Sequence, residues 1–139
     1  MAAALLFRWD GRKTRLFFRT KPESYDTPSL IAFLQDLRRQ TGGRRCILIW
    51  DGLAAHKSRP MRAFLEGQRD WLSVERLPGY APDLNPVEPL WGNVKGRELA
   101  NRCAENLAEA RRALRRGMSR VRSHPTLAAA FLHHAGLFF

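Results

Sequence analysis

Five consecutive apolar residues, Cys46-Ile47-Leu48-Ile49-Trp50, stand between Arg45 and Asp51. A run this short, bounded by charge, reads as a strand covered on both faces, the kind found in parallel sheets. The segment before it has another period. Leu30, Phe33, Leu34 and Leu37 recur at i, i+3, i+4 and i+7, which is one face of a helix. That helix opens at Thr27-Pro28-Ser29, with proline in its first turn, and closes at Gly42-Gly43. A helix feeding a buried strand is consistent with an α/β layout.

The flanks extend this pattern. Leu5–Trp9 and Arg15–Arg19 are short apolar-aromatic runs around Asp10-Gly11, which predicts a β-hairpin. Met61, Phe64 and Leu65 mark a shorter helix after Pro60, and Leu72–Leu77 a further strand. Residues 78–86 hold too much proline for regular structure. Asn85-Pro86 then opens a longer helix, with Asn85 as N-cap, Glu88 at its third position, and Val87, Leu90, Trp91 and Val94 as its apolar face. From Asn101 onward the chain reads as helical, with Leu107, Ala110, Leu114 and Val121 at helical spacing. Arg111, Arg112, Arg115, Arg116, Arg120 and Arg122 line the rest of that helix, and Pro125 opens a last one through Leu127, Ala128, Phe131 and Leu132. There are no repeats and no low-complexity stretches.

Composition narrows the classes. A length of 139 residues suits one domain, and 45% hydrophobic content supports a core. Lysine and arginine number 24 against 13 acids, a net charge of +11, which favours a polyanionic partner such as nucleic acid. An arginine-favouring genome would raise the same count, and the two causes are compatible. No apolar run approaches the roughly 18 residues of a membrane span. The start lacks the basic and long apolar regions of a signal peptide, so a cytoplasmic protein is expected. Cys46 and Cys103 sit in apolar or helical contexts and read as small buried hydrophobes.

Asp51 directly follows the apolar strand, and in open α/β sheets ligands gather at the carboxyl ends of strands. An ordinary turn aspartate helped by Gly52 would look the same. Glu88 lies three residues after Asn85, where a capping-box glutamate would also stand. His56, Lys57 and Lys95, taken singly, read as solvated residues.

Together these residues carry more. Trp50-Asp51-Gly52-Leu53-Ala54-Ala55-His56, then Leu77-Pro78-Gly79-Tyr80-Ala81-Pro82-Asp83-Leu84-Asn85-Pro86-Val87-Glu88-Pro89-Leu90-Trp91, then Lys95, resemble the bacterial insertion-sequence branch of the mariner-like DDE transposases. That group has a strand ending in Asp-Asn-x-x-x-His, followed by Leu-Pro-x-Tyr-Ser-Pro-x-Leu-Asn-Pro-Ile-Glu-x-x-Trp-x-x-x-Lys. Thirty-six residues separate Asp51 from Glu88, similar to the group's spacing between its second and third catalytic acids. Gly52 and Ala81 replace its usual Asn and Ser, and neither change removes a charged ligand.

The resemblance implies a ribonuclease H-like mixed sheet with flanking helices. It implies a single partial catalytic domain over 1–139, with the sheet and catalytic helix in 1–100 and C-terminal helices in 101–139. Asp51 and Glu88 would be catalytic and metal-binding, holding Mg²⁺ or Mn²⁺, two ions in a complete site. DNA would be the partner, contacted by Lys95, His56 and Lys57, in a bacterial, nucleoid-associated protein; Arg111, Arg112 and Arg115 are further candidates for DNA contact, or equally the solvated face of a helix. The activity implied is metal-dependent DNA cleavage followed by strand transfer.

One part of the pattern is missing. The family's first catalytic aspartate lies on a central strand upstream of the hairpin. Asp10 falls at the hairpin tip, Glu23 and Asp26 in a loop, and Asp36 in a helix. Without that strand, the hairpin and Cys46–Trp50 either pair directly or leave open edges. Two expectations follow: a chain completed by a separately encoded N-terminal half or a homodimer partner, or an inactive DNA-binding or regulatory protein or remnant.

Overall fold

The computed structural model describes residues 1–8, 10, 12–79, 81–100 and 106–137. Its elements run β1 (Ala2–Leu6), β2 (Arg15–Arg19), α1 (Thr27–Thr41), β3 (Cys46–Trp50), a 3₁₀ turn (Ala54–Lys57), α2 (Arg59–Glu66), β4 (Leu72–Arg76), a second 3₁₀ turn (Pro82–Leu84), α3 (Val87–Glu98), α4 (Leu107–Ser123) and α5 (Pro125–His134). They gather into two compact units. One comprises residues 1–2 and 21–81, the other 3–20 and 82–139.

In the first unit, α1 forms where the 3.6-residue period predicts. Asp26, in extended conformation, accepts from the Ser29 backbone N–H at 3.1 Å. Gly42, at φ 65, takes the left-handed cap that a side chain would resist. Its N–H and that of Gly43 return to the carbonyls of Arg39 and Arg38 at 3.2 and 2.9 Å. The face buried is Leu30, Phe33, Leu34 and Leu37, as expected. Burial of each is worth about 1.5–3 kcal/mol, far above the few tenths by which most helix propensities differ.

β3 and β4 pair in parallel, with Cys46 opposite Leu72 and Trp50 opposite Arg76. Cys46 N–H donates to the Trp71 carbonyl at 2.7 Å and Leu77 N–H to that of Trp50 at 2.9 Å, which extends the ladder at both ends. Arg38 of α1 ties the β4 approach, donating to Gln68 and Asp70 at 3.1 and 2.7 Å with its guanidinium over the Trp71 ring. The strand differs from expectation in its burial. Trp50 is covered, but Ile47 is 68% and Ile49 43% exposed. They share the face of their β4 partners Ser73 and Glu75, both exposed. An apolar run signals a strand meant to be covered on both faces, and here one face is bare. Cys46 is half-buried rather than core.

In the second unit β1 pairs with β2, and α3, α4 and α5 pack on one another, with α4 and α5 also meeting β2. The first strand covers Ala2–Leu6, earlier than the predicted Leu5–Trp9. Arg8 N–H instead bonds the Arg12 carbonyl at 3.2 Å, and Asp10 Oδ1 accepts from Arg12 N–H at 3.0 Å, so the chain turns sooner. Trp9 and Gly11 of the predicted hairpin lie outside the described residues, as do Asn101 and Cys103. The buried stripe of α4 is Ala113, Gly117, Met118 and Val121. Val121 was expected there. Leu107, placed on the apolar face by spacing, is 72% exposed because it sits in the first turn, ahead of the packed stretch. Pro125 opens α5, and Ala128, Phe131 and Leu132 are its buried face.

Among the described residues there are two sheets of two strands each, β1 with β2 and β3 with β4.

Candidate active site

Asp51 leaves the carboxyl end of β3, where the Leu77 bond to the Trp50 carbonyl anchors the backbone. Its Oδ1 accepts from the Leu53 N–H at 3.0 Å. The 3₁₀ turn then brings His56 back over it. His56 Nδ1 lies 2.9 Å from Asp51 Oδ1 and 3.2 Å from the Asp51 carbonyl oxygen. Both neighbours are acceptors, so Nδ1 carries the proton and donates. The imidazole stacks on Trp50, with centroids 4.1 Å apart and planes 7° from parallel. The His56 side chain is 13% exposed and that of Asp51 47%. Asp51 Oδ2 has no hydrogen-bond partner among the described residues.

Lys57 is exposed, with Nζ placed 2.9 Å from where a Cβ on residue 52 would stand. Gly52, at a position where the resembling family often has Asn, leaves that space to the lysine. Ser58 caps α2 through the Met61 N–H at 3.3 Å and shares a 3.0 Å hydrogen bond with Thr27 Oγ1, which fixes the far side of the turn to α1.

Glu88 belongs to the second unit, at the start of α3. Asn85 Oδ1 accepts from Val87 N–H at 3.2 Å, and the Asn85 carbonyl from Glu88 N–H at 2.9 Å. Asn85 therefore works as the cap, although the helix is bounded by Pro86. A capping box would return the Glu88 carboxylate to the Asn85 N–H. That N–H instead donates to the Pro82 carbonyl at 2.9 Å. Glu88 is exposed, and its carboxylate has no partner among the described residues. Lys95, seven residues on, falls on the same side of α3 and is also exposed.

Of the other basic candidates, Arg112 and Arg115 are exposed and Arg111 half-exposed. Arg112 lies on the arc of α4 away from its buried stripe, while Arg111 and Arg115, seven and three residues before buried Met118, stand at the edge of that stripe. Arg116 and Arg122 join them, and the Arg122 guanidinium stands 5.2 Å over the Phe18 ring. Arg120, by contrast, turns inward to Glu98 and Asn93 at 3.1 and 2.9 Å.

Asp51, with one unpartnered oxygen, and Glu88, with neither engaged, each offer hard oxygen donors of the kind Mg²⁺ and Mn²⁺ take. Among the described residues no three His, Cys, Asp or Glu side chains gather closely enough to hold a metal ion. Glu75, on the bare face of the β3–β4 sheet, is the only acid on a described strand. Asp10 pairs with Arg8, Asp36 with Arg39 and Asp70 with Arg38. Sequence reasoning did not single out Trp50. An aromatic directly before the acid, with a histidine five residues after it, was the signal available.

The sequence model described as the DDE superfamily endonuclease matches residues 10–111. No curated protein matches the chain. Among solved structures, the chain is similar to the Mos1 transposase catalytic domain with raltegravir and Mn, at 19% identity and a TM-score of 0.50, over 99% of this chain and 76% of that one. The shared fold is the ribonuclease H-like one expected. No helix among the described residues is long and apolar enough to cross a membrane.

Proposed function

This chain belongs to the DDE superfamily of endonucleases, and we propose that it is a transposase catalytic-domain fragment in which Asp51 and Glu88 are two of the catalytic carboxylates. The observation that carries the reading is Glu88. The structural role that would account for it, the capping box, is unfilled, and Glu88 stays exposed. Asp51 supports it by presenting a free oxygen at a strand end.

The two residues would bind Mg²⁺ or Mn²⁺, which in two-ion sites activates an attacking water or 3′-hydroxyl and stabilises the leaving oxygen. The substrate would be DNA, cleaved at a phosphodiester and then joined through the freed 3′ end. Lys57, Lys95, Arg111, Arg112 and Arg115 would hold the phosphate backbone, and such contacts are salt-dependent. His56, beside Asp51, would contact the same DNA. A bacterial, nucleoid-associated setting fits such an activity.

A third acid on a strand would come from a separately encoded N-terminal half or from a second copy. Supporting this are the edge of β3, unpaired among the described residues, and the exposed Ile47 and Ile49, features that invite another strand. A second reading, a DNA-binding or regulatory protein without catalysis, is favoured by the absence of any acid on β1, β2 or β3. The deciding experiment is a nicking and strand-joining assay in Mg²⁺ or Mn²⁺, with the chain alone and with a polypeptide supplying the central strand and its aspartate. Activity only on addition supports the split enzyme. Activity of the chain alone would return the third acid to Asp10 or Asp26. Binding without cleavage in both, by folded samples, would support the second reading.

A further inference from the structure

We propose that His56 is a positioning residue, held by Trp50, that locks the Asp51 carboxylate so that Oδ2 alone is offered to a divalent cation. The proposal rests on the reading of Asp51 as a metal carboxylate, and it adds which oxygen binds and what aims it.

The geometry has three parts. Oδ1 accepts the Leu53 N–H at 3.0 Å and lies 2.9 Å from His56 Nδ1, whose own hydrogen bond goes to the Asp51 carbonyl at 3.2 Å. The Leu53 hydrogen bond and the close imidazole nitrogen reach Oδ1 from different directions and restrain the carboxylate, and Oδ2 keeps both lone pairs. The second part is the hold on the imidazole. Its stack on Trp50, itself only 9% exposed, sets the ring plane, while the bond of Nδ1 to the Asp51 carbonyl sets the ring rotation. The third is the backbone. His56 N–H donates to the Leu53 carbonyl at 2.9 Å, so the residue that gives Oδ1 its other donor also anchors the histidine. A solvated histidine needs none of these constraints. A carboxylate that must meet a cation in one orientation gains from all of them, since disorder in a ligand is lost on binding.

Two substitutions separate the hydrogen bond from the stack. His56→Phe keeps an aromatic ring for Trp50 and removes the donor. His56→Asn places an N–H near the position of Nδ1 and removes the ring. Mn²⁺ would be titrated into each isotopically labelled variant, and the apparent affinity read from paramagnetic broadening of the backbone amides of residues 51–53, with thermal midpoints measured in parallel. His56→Phe is expected to weaken Mn²⁺ binding about tenfold, as loss of an orienting partner does at metal sites, with a near-parent melting temperature. His56→Asn is expected to recover most of that loss. Parent affinity in His56→Phe, or equal weakening in both variants, would overturn the proposal. Should His56→Phe fold poorly, His56→Leu carries the same expectation. Asp51→Asn is the control for the underlying reading. If it leaves the broadening unchanged, Asp51 is not a ligand and that reading falls. If it abolishes the broadening while His56→Phe does not weaken it, only the positioning role falls.

Discussion

Gly117 offers the sharpest test of the packing in the second unit. A Cβ there would stand 2.6 Å from Glu98 Cγ and 2.7 Å from Val94 Cγ1. Ordinary carbon contacts lie near 3.5–4.0 Å, so both neighbours would have to retreat by about 1 Å. Neither is free to. Val94 is fully buried, and Glu98 is held by Arg120, which also grips Asn93. Overpacking of this kind costs about 1–3 kcal/mol, and two simultaneous clashes place it at the upper end. Alanine returns about 1 kcal/mol of helix propensity. Gly117→Ala is therefore expected to lose about 2 kcal/mol, or about 6–10 °C in melting temperature at this chain length. Gly96→Ala is the control. Its Cβ meets nothing within 4 Å, so the propensity gain of up to about 1 kcal/mol should appear undiminished. Urea or thermal unfolding followed by circular dichroism measures both. A Gly117→Ala protein as stable as the parent would refute the close approach of α3 and α4.

Other expectations are more local. Asp26 has its carboxyl drawn down to about 2 by the Ser29 hydroxyl and backbone N–H, with help from Lys21. Its contribution to stability is present above about pH 4 and lost as the pH falls through about 2, so Asp26→Asn, which keeps a capping oxygen, should flatten the acid side of the urea-midpoint profile. Ile47→Lys should change stability by under about 0.5 kcal/mol, since the residue is exposed, yet abolish co-purification with a completing N-terminal segment. Arg112→Ala and Arg115→Ala should each weaken DNA binding and reduce the slope of log affinity against log salt by about 0.9 if each contacts one phosphate; fluorescence anisotropy at several salt concentrations reads both.

Where local chemistry decided the structure, the sequence was legible. The α1 face, its proline and its paired glycines all act within one helix, and each appeared where spacing placed it. β3 and β4 were legible as strands because β-forming apolar runs between turns have few alternatives. Burial was less so. Ile47 and Ile49 look like core, but side-chain type cannot report whether a covering element is present. The shift of β1 from Leu5–Trp9 to Ala2–Leu6 has a related cause: two adjacent apolar stretches could each pair with β2, and the Arg8–Arg12 turn decides between them. Asp51 and Glu88 were visible only as a spaced motif. The His56–Trp50 clamp depends on a 3₁₀ turn folding back on its own strand, and no residue periodicity announces that.

The most direct test of the central claim compares nicking of a DNA duplex in Mg²⁺ by the completed domain, parent against Asp51→Asn and Glu88→Gln, with DNA affinity measured on the same samples. Each substitution removes a charge while keeping size. The account predicts loss of nicking in both variants with DNA binding and melting temperature close to the parent. Nicking at the parent rate by either variant would contradict it.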